Sequence, residues 1–148
     1  MASISKTVKD TMARGINILH RNLVKVSGGR IGGTGFGMPV VRLTTTGRKS
    51  GKKHSVMLTS PIHDDNRVVL VASYGGDDRH PAWFLNLRDN PDVELEMKGK
   101  ARAMKAHVAS SDEKNQLWPE VVKAYKGYGQ YQTRTERDIP LVILEPSG

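Results

Sequence analysis

The sequence predicts an α+β protein that is mainly β, built on a small antiparallel barrel, closed or split, and decorated with helices. Three observations lead to this prediction. Six segments have the apolar or alternating character of strands, most of them are joined by short turns as in hairpins, and a capping box opens one helix. With 148 residues, the chain is most simply a single domain.

The strands are predicted from residue 39 onwards. The strand-like segments are 39–46, 54–62, 67–73, 92–98, 101–109 and 139–146. A basic turn joins the first two segments, and Gly99-Lys100 lies at the turn between the fourth and fifth. This succession of hairpins favours neighbouring antiparallel strands.

The N-terminal part has a different character. Residues 4–26 carry an apolar side chain at every third or fourth position, which indicates an amphipathic helix with a basic opposite face. Six glycines in residues 28–38 indicate a flexible connection. We therefore divide the chain into 1–38, the helix and its connection, and 39–148, the barrel.

Two helices are predicted within the barrel segment. Residues 82–90 form a short helix that the following proline ends. Ser110 and Glu113 form a capping box that opens a helix running to about Tyr125, with a break or restart at Pro119.

The turn within residues 44–60, TTTGRKSGKKHSVMLTS, is the strongest functional signal. It holds two glycines and is flanked by hydroxyl side chains, and its four cations are Arg48, Lys49, Lys52 and Lys53. Exposed backbone N–H groups, hydroxyls and cations together bind phosphate or carboxylate oxygens. The alternative is a solvated turn that keeps the protein soluble, but such a turn would normally mix charges of both signs.

The charge distribution also favours an anionic partner. The net charge is +8, yet residues 1–60 hold eleven cations and one acid, whereas residues 61–148 hold twelve cations and fourteen acids. The excess is therefore confined to the N-terminal portion and includes the basic turn. A phosphorylated cofactor, a nucleic acid or an acidic membrane surface would each suit it.

Several chemistries have no support in the sequence. There is no cysteine, and the five histidines lack metal-ligand spacing, so no metal site is predicted. No G-x-S-x-G nucleophile, Walker loop or G-x-G-x-x-G fingerprint is present. An enzyme of this kind would take its chemistry from a cofactor. No apolar run approaches the roughly 18 residues of a membrane span, and no signal peptide is evident, so we expect a cytoplasmic protein.

Four segments in this order resemble a known family. They are LTTTGRKSGK at 43–52, RVVLVAS at 67–73, HPAWFLNLRDNP at 80–91 and WPEVVKAYKGYGQYQTRTERDIPLVILEP at 118–146. Over residues 28–146 the chain resembles the actinobacterial deazaflavin-dependent nitroreductases, the F420H2-dependent quinone reductases. The resemblance implies a six-stranded antiparallel split β-barrel of the FMN-binding type, with 39–148 as the cofactor-binding domain.

The resemblance also implies binding of coenzyme F420, a deazaflavin with a phospholactyl group and an oligoglutamate tail. By position, Arg48, Lys49 and Ser50 are expected to bind the phosphate and tail. The other implied cofactor contacts are His54, Ser55, Val56, Met57, Leu58, Thr59, Val71, Ala72, Ser73, Tyr74, Ala82, Trp83, Phe84, Leu85, Asn86 and Tyr128. The sequence departs from the family in two places, with His54 instead of a second basic residue and Tyr74 instead of lysine. The tail contact would then pass through Lys52 or Lys53, and reduction of nitroimidazoles is not implied.

The family implies hydride transfer from F420H2 to a planar acceptor such as the quinones menaquinone or menadione. Tyr128, Tyr131 or solvent would supply the proton, and Ser73 would bond to the deazaflavin or to a substrate carbonyl. Tyr125 is expected near the substrate. The glycines at 127 and 129 predict that the preceding helix has ended and that the tyrosines lie on a mobile flap.

Three rival functions remain open at this level. The same fold could bind FMN, the chain could carry F420 or another amphiphile without turnover, or it could be a basic nucleic-acid-binding module. The last is disfavoured by two phenylalanines and no alternation of basic and aromatic residues. The basic N-terminal helix would also allow peripheral contact with the inner membrane face. The sequence predicts no oligomeric state.

Overall fold

The computed structural model describes residues 34, 35 and 37–147. Its elements, in chain order, are β1 (Thr34–Gly35), β2 (Met38–Thr46), β3 (Lys53–Thr59), β4 (Ile62–His63), β5 (Val68–Val71), a 3-10 turn (Tyr74–Gly76), α1 (Ala82–Asp89), β6 (Asp92–Met97), β7 (Lys100–Val108), α2 (Ser111–Ala124), α3 (Gly127–Thr133) and β8 (Leu141–Pro146). The protein is therefore α+β and mainly antiparallel β, as predicted.

The eight described strands form one antiparallel sheet. The hydrogen-bonded order is β1-β2-β6-β7-β8-β5-β4, and β3 pairs with β2 outside this path. Among the described strands, β3 has no second partner, so strand pairing does not close the sheet into a complete barrel. One edge of β3 is consequently left without a neighbouring strand.

The number of strands differs from the predicted six. The six longer strands match the predicted segments, and β1 and β4 add two residues each. Strand 54–62 was predicted as continuous, but it ends at Thr59, because the buried Ser60 redirects the chain. The Ser60 Oγ lies 2.8 Å from the Ile62 carbonyl oxygen and 2.9 Å from that of Val69. Lys98 and Gly99 form the β6–β7 turn, one residue earlier than predicted, and both have positive φ angles.

The sheet separates two apolar cores. On β5, Val68 and Leu70 belong to the first core, and Val69 and Val71 belong to the second. This alternation follows from the two-residue period of a strand. The helices contribute Trp83, Phe84 and Leu87 of α1 to the first core, and Leu117, Val121 and Tyr128 of α2 and α3 to the second. Strand β5 therefore lies between the two cores.

The capping box is confirmed, but the break at Pro119 is wrong. The Glu113 N–H donates to Ser110 Oγ at 3.1 Å, and the Ser110 N–H donates to Glu113 Oε1 at 2.9 Å. Helix α2 continues through Pro119. Proline removes one backbone hydrogen bond, and the buried Leu117 and Val121 on either side of it hold the helix on the sheet.

The preceding helix ends before Gly127, as predicted, but the tyrosine segment that follows is helix α3 and not an irregular flap. Gly127 leaves space for a neighbouring side chain. A Cβ atom at this position would overlap the Tyr125 ring. The glycine therefore lets the Tyr125 ring fold over the start of α3 and pack against Tyr128, with the ring centroids 5.1 Å apart.

The predicted helix at 4–26 lies outside the described residues, so its contact with a membrane stays a prediction. Part of the glycine-rich connection forms β1, which pairs with the first residues of β2. Within residues 34, 35 and 37–147, no helix combines the length and the apolar character that a membrane span requires.

Candidate active site

A cavity of about 550 Å³ opens between the β2–β3 hairpin, the turn after β5, helix α1 and helix α3. Most of the predicted site residues line it. These are Arg48, Lys49, Ser50, His54, Ser55, Val56, Leu58, Thr59, Val71, Ser73, Tyr74, Ala82, Trp83, Asn86, Tyr128 and Tyr131, together with Tyr125. Three separate sequence segments therefore meet around one space.

The basic turn closes tightly at one end of the cavity. The Gly47 N–H donates to the Lys52 carbonyl at 2.7 Å, and the Gly51 N–H donates to that of Gly47 at 3.0 Å. A Cβ atom on Gly47 would lie 2.8 Å from Ser50 Oγ and 2.9 Å from His54 Nε2. Real Cβ contacts are longer than this, so a side chain at position 47 would require Ser50 or His54 to move.

Asn86 of α1 fixes the position of Arg48. Its Oδ1 accepts from the Arg48 backbone N–H at 3.2 Å and from the guanidinium at 2.8 Å, while its Nδ2 donates to Thr45 Oγ1 at 3.3 Å. Asn86 is 5% exposed, whereas Arg48 and Lys49 are exposed at the cavity mouth. Within the described part of the chain, no carboxylate pairs with either cation. Both charges therefore remain available to an anion.

The other two cations of the turn are placed differently. Lys52 and Lys53 do not line the cavity. Lys53 Nζ donates to Thr46 Oγ1 at 3.0 Å on the neighbouring strand. The four cations that the sequence presents as one cluster thus divide into two at the cavity mouth and two outside it.

The unpaired edge of β3 borders the middle of the cavity. Side chains alternate between the faces of a strand, yet the consecutive residues Ser55 and Val56 both line the cavity. The strand edge, with its backbone polar groups, must therefore face the space. Val56 and Leu58 add apolar surface, while the Ser55 hydroxyl lies 2.8 Å from that of Thr44.

Ser73 places a hydroxyl on the cavity wall, where no described residue bonds to it. The residue is 8% exposed, and its side chain makes no hydrogen bond among the described residues. The next residue, Tyr74, has a φ of 47°, and Gly75 follows at 64°. A positive φ is costly for a residue with a side chain. The surrounding structure therefore holds this turn in a strained conformation at the cavity.

Three tyrosines form the opposite wall. The Tyr128 hydroxyl is buried and lies 3.0 Å from Thr59 Oγ1. Burial raises the pKa of Tyr128 to about 12. The pKa of Tyr131 is also raised, mainly by burial and in addition by Tyr125. The hydroxyl oxygens of Tyr125 and Tyr131 lie 3.4 Å apart. The phenols of Tyr128 and Tyr131 are therefore protonated at neutral pH.

Four predicted cofactor contacts do not line the cavity. They are Met57, Ala72, Phe84 and Leu85. Met57 packs instead with Val40 in a separate buried cluster. Ala72 and Phe84 are buried in the first core, and Leu85 packs against that core.

Four lining residues were missing from the predicted set: Thr45, Gly47, Gly75 and Pro81. Thr45 and Gly47 belong to the TTTGRKS stretch, where they are the hydroxyl and the glycine that accompany the cations. Gly75 and Pro81 belong to the loop between β5 and α1. Only the fold places that loop beside the basic turn.

Comparisons with known proteins agree with this geometry. The model of the family described as F420H2-dependent quinone reductase matches residues 18–146. A Mycobacterium tuberculosis protein is 43% identical over 116 residues, covering 77% of this chain and 97% of that protein. An F420H2-dependent quinone reductase of the same organism is 36% identical over 130 residues, covering 85% of this chain and 87% of that protein.

A solved structure of an F420H2-dependent reductase is 40% identical and has a TM-score of 0.66, covering 72% of this chain and 94% of that one. The family description specifies F420H2, so the FMN alternative has no support. The chain therefore belongs to the F420H2-dependent quinone reductase family, and it is an F420H2-dependent reductase whose cofactor is coenzyme F420.

Proposed function

We propose that this protein transfers a hydride from F420H2 to a planar quinone, such as menaquinone or menadione, within the described cavity. The observation that carries the proposal is the polarity of that cavity. Among the described residues, its mouth holds two cations without acidic partners, and the rest of its lining includes Val56, Leu58, Val71, Trp83 and three tyrosines. An anionic tail and a planar ring on one molecule would match the two ends. On this basis, we also propose residues 39–148 as the cofactor-binding unit.

The residues present fit the cofactor. Arg48, Lys49 and Ser50 would hold the phosphate and the glutamate carboxylates, because charged hydrogen bonds to oxyanions are short and strong. The unpartnered Ser73 hydroxyl, inside the cavity, would bond to a polar group of the ring or of the acceptor. When bound, the reduced coenzyme supplies a hydride from its deazaflavin ring.

The chain itself orients the reactants and limits water. Asn86 holds the Arg48 main chain and guanidinium in one arrangement, so that less ordering is needed when an anion binds. Trp83, Val71 and Leu58 provide apolar walls. Correct placement of two reactants contributes a large part of the rate when little covalent chemistry is required of the protein.

Reduction of a quinone by a hydride also requires a proton on the second oxygen. We assign this proton to Tyr131 or to solvent rather than to Tyr128. The Tyr128 hydroxyl is buried and engaged with Thr59, so solvent cannot readily replace a proton that it gives up. Tyr131 is only half-buried and can recover a proton from solvent.

The proposal is tested by following deazaflavin absorbance when F420H2, menadione and the protein are combined. We expect oxidation of F420H2 in proportion to enzyme concentration, and slower oxidation at subsaturating cofactor with Lys49→Ala. Lys105→Ala provides the matched control, because Lys105 is an exposed cation on β7 away from the cavity. Oxidation no faster than in the enzyme-free mixture, for menadione and menaquinone alike, would overturn the proposal.

A further inference from the structure

The side chain of Arg137 lies outside the cavity but contacts the wall that contains Ser73. It is half-buried in the segment between α3 and β8. Its Nη2 donates to the carbonyl oxygens of Ala72 at 3.1 Å and Ser73 at 2.9 Å, and its Nε donates to that of Asp77 at 2.8 Å. Its Nη1 lies 3.2 Å from His80 Nδ1. One guanidinium therefore spans the whole loop from the end of β5 to the approach to α1.

The backbone of Arg137 is attached to the tyrosine wall. Gln132 of α3 donates from Nε2 to the Arg137 carbonyl at 2.7 Å, and its Oε1 accepts from the Ile139 N–H at 2.9 Å. Helix α3 also carries Tyr128 and Tyr131. Arg137 thus connects two cavity walls that are far apart in the sequence.

Two backbone hydrogen bonds close the turn that Arg137 holds. The Gly76 N–H donates to the Ser73 carbonyl at 2.9 Å, and the Asp77 N–H donates to the Tyr74 carbonyl at 3.1 Å. Tyr74 adopts a positive φ that its side chain disfavours. A planar guanidinium donates in several fixed directions at once, whereas a lysine ammonium is a point charge on a flexible chain. Lysine at position 137 could not hold the same set of acceptors.

We propose that Arg137 is a positioning residue, which fixes the Ser73 hydroxyl and the Tyr74–Gly75 backbone in the cavity and couples their position to helix α3. The expected effect on kcat rests on the proposed function. The expected effect on the turn is measured in the free protein and does not depend on that function. Neither role was evident from the sequence, because the four acceptors lie about sixty residues away.

The test compares Arg137→Lys with the parent in two measurements. Amide hydrogen exchange of the free protein should become about tenfold faster at Gly76 and Asp77, because a tenfold change corresponds to loss of one ordinary hydrogen bond. Amides of α2 should keep their protection. In quinone reduction, kcat should fall roughly tenfold or more, because misplacement at a reacting centre is costly. The Kd for oxidised F420 should change less than about threefold, since the basic turn is untouched.

Arg102→Lys is the matched control. Arg102 also donates from Nη2 to a backbone carbonyl, that of Asp65 at 3.2 Å, in the loop between β4 and β5. It should leave both measurements unchanged. Should Arg137→Lys fail to fold, His80→Leu removes only one of the four acceptors and should give smaller changes in the same direction.

The outcomes separate the two proposals. Unchanged exchange at Gly76 and Asp77 would overturn the positioning role, as would an unchanged kcat in an enzyme that reduces quinones. A parent protein that reduces no quinone would overturn the proposed function, while the exchange measurement would still decide whether Arg137 holds the turn. A uniform rise in exchange across α2 and the sheet would indicate general destabilisation and would also count against the positioning role.

Discussion

The two ends of the cavity are built in opposite ways. The basic turn is exposed and local: Gly47, Ser50 and His54 meet within eight residues of chain. The tyrosine wall is more buried and depends on distant contacts. Its best-defined bond, between Tyr128 and Thr59, joins residues 69 positions apart. One end is therefore encoded by neighbouring residues, and the other by the fold.

Because one end is exposed and the other is buried, substitutions at the two ends should affect different properties, namely cofactor affinity and stability. Charges at an exposed mouth interact with a ligand through salt-screened attraction and contribute little to folding. Buried phenols contribute through packing and desolvation, so their removal affects the folded state directly. Substitution of Lys49 should therefore change cofactor affinity with little effect on stability, whereas substitutions at Tyr128 should affect the free energy of unfolding.

The largest effect is expected when both cations at the mouth are removed. Arg48→Met with Lys49→Met should raise the Kd for F420 about 100-fold, since a charged hydrogen bond contributes about 1.5–3 kcal/mol. The salt dependence of binding should become weaker at the same time. Cofactor fluorescence would report both quantities. A double variant at Lys105 and Lys123, exposed cations outside the cavity, should bind like the parent. Equal Kd values for the two double variants would contradict electrostatic binding at this turn.

A smaller effect is expected at Asn86, which supports the same end from a distance. Asn86→Asp would place a carboxylate against Arg48, whose backbone and guanidinium both contact the present amide oxygen. The new charge would compete with the anion, so we expect the Kd for F420 to rise about tenfold, as one charge-assisted contact would predict. Titration of F420 into this variant checks the result. Affinity equal to that of the parent would show that Arg48 does not bind the tail.

The tyrosine wall should respond in stability instead. Tyr128→Phe should lower the free energy of unfolding by about 1 kcal/mol, because it removes one bond and leaves the Thr59 hydroxyl buried without its partner. Urea unfolding of Tyr128→Phe, Thr59→Val and the double variant would measure the coupling. If the two single effects simply add, the two hydroxyls do not stabilise each other.

The raised pKa of Tyr128 also predicts how the free energy of unfolding depends on pH. Its pKa is raised from 10 to about 12 in the folded protein. The folded state therefore retains the phenol proton at a pH where the unfolded chain has lost it. This stabilisation is complete below the unfolded pKa and is lost as the pH rises through the folded pKa. Between pH 10 and 12 the parent should lose more stability than Tyr128→Phe, as measured by urea unfolding at each pH.

Features that depend on a few adjacent residues could be predicted from the sequence. The β2–β3 hairpin, the capping box at Ser110 and helix α1 follow from turn residues, caps and periodicity. The main errors also have local causes. Pro119 and Gly127 were interpreted by their intrinsic preference, whereas tertiary packing retains the proline within α2 and uses the glycine as space for the Tyr125 ring.

The site could be predicted only in part for the same reason. Motif positions indicated most of the lining residues, but a motif does not state which way each side chain points. Met57 and Phe84 lie within the right segments and face the cores. The contacts of Arg137 with the Ser73 loop have no signal in either segment, because they arise only when β5 and β8 pair.

The smallest effect is expected at Lys53. It tests whether the position of each cation, rather than charge alone, determines binding. Charge alone would make the cations of the turn equivalent, since they lie within six residues. Lys53 Nζ instead bonds to Thr46 and does not line the cavity. Lys53→Met should therefore raise the Kd for F420 less than about twofold, as expected for a screened exposed charge, while Lys49→Met should raise it about tenfold. Equal losses in the two variants would mean that the net charge of the turn, rather than the placement of individual cations, determines binding.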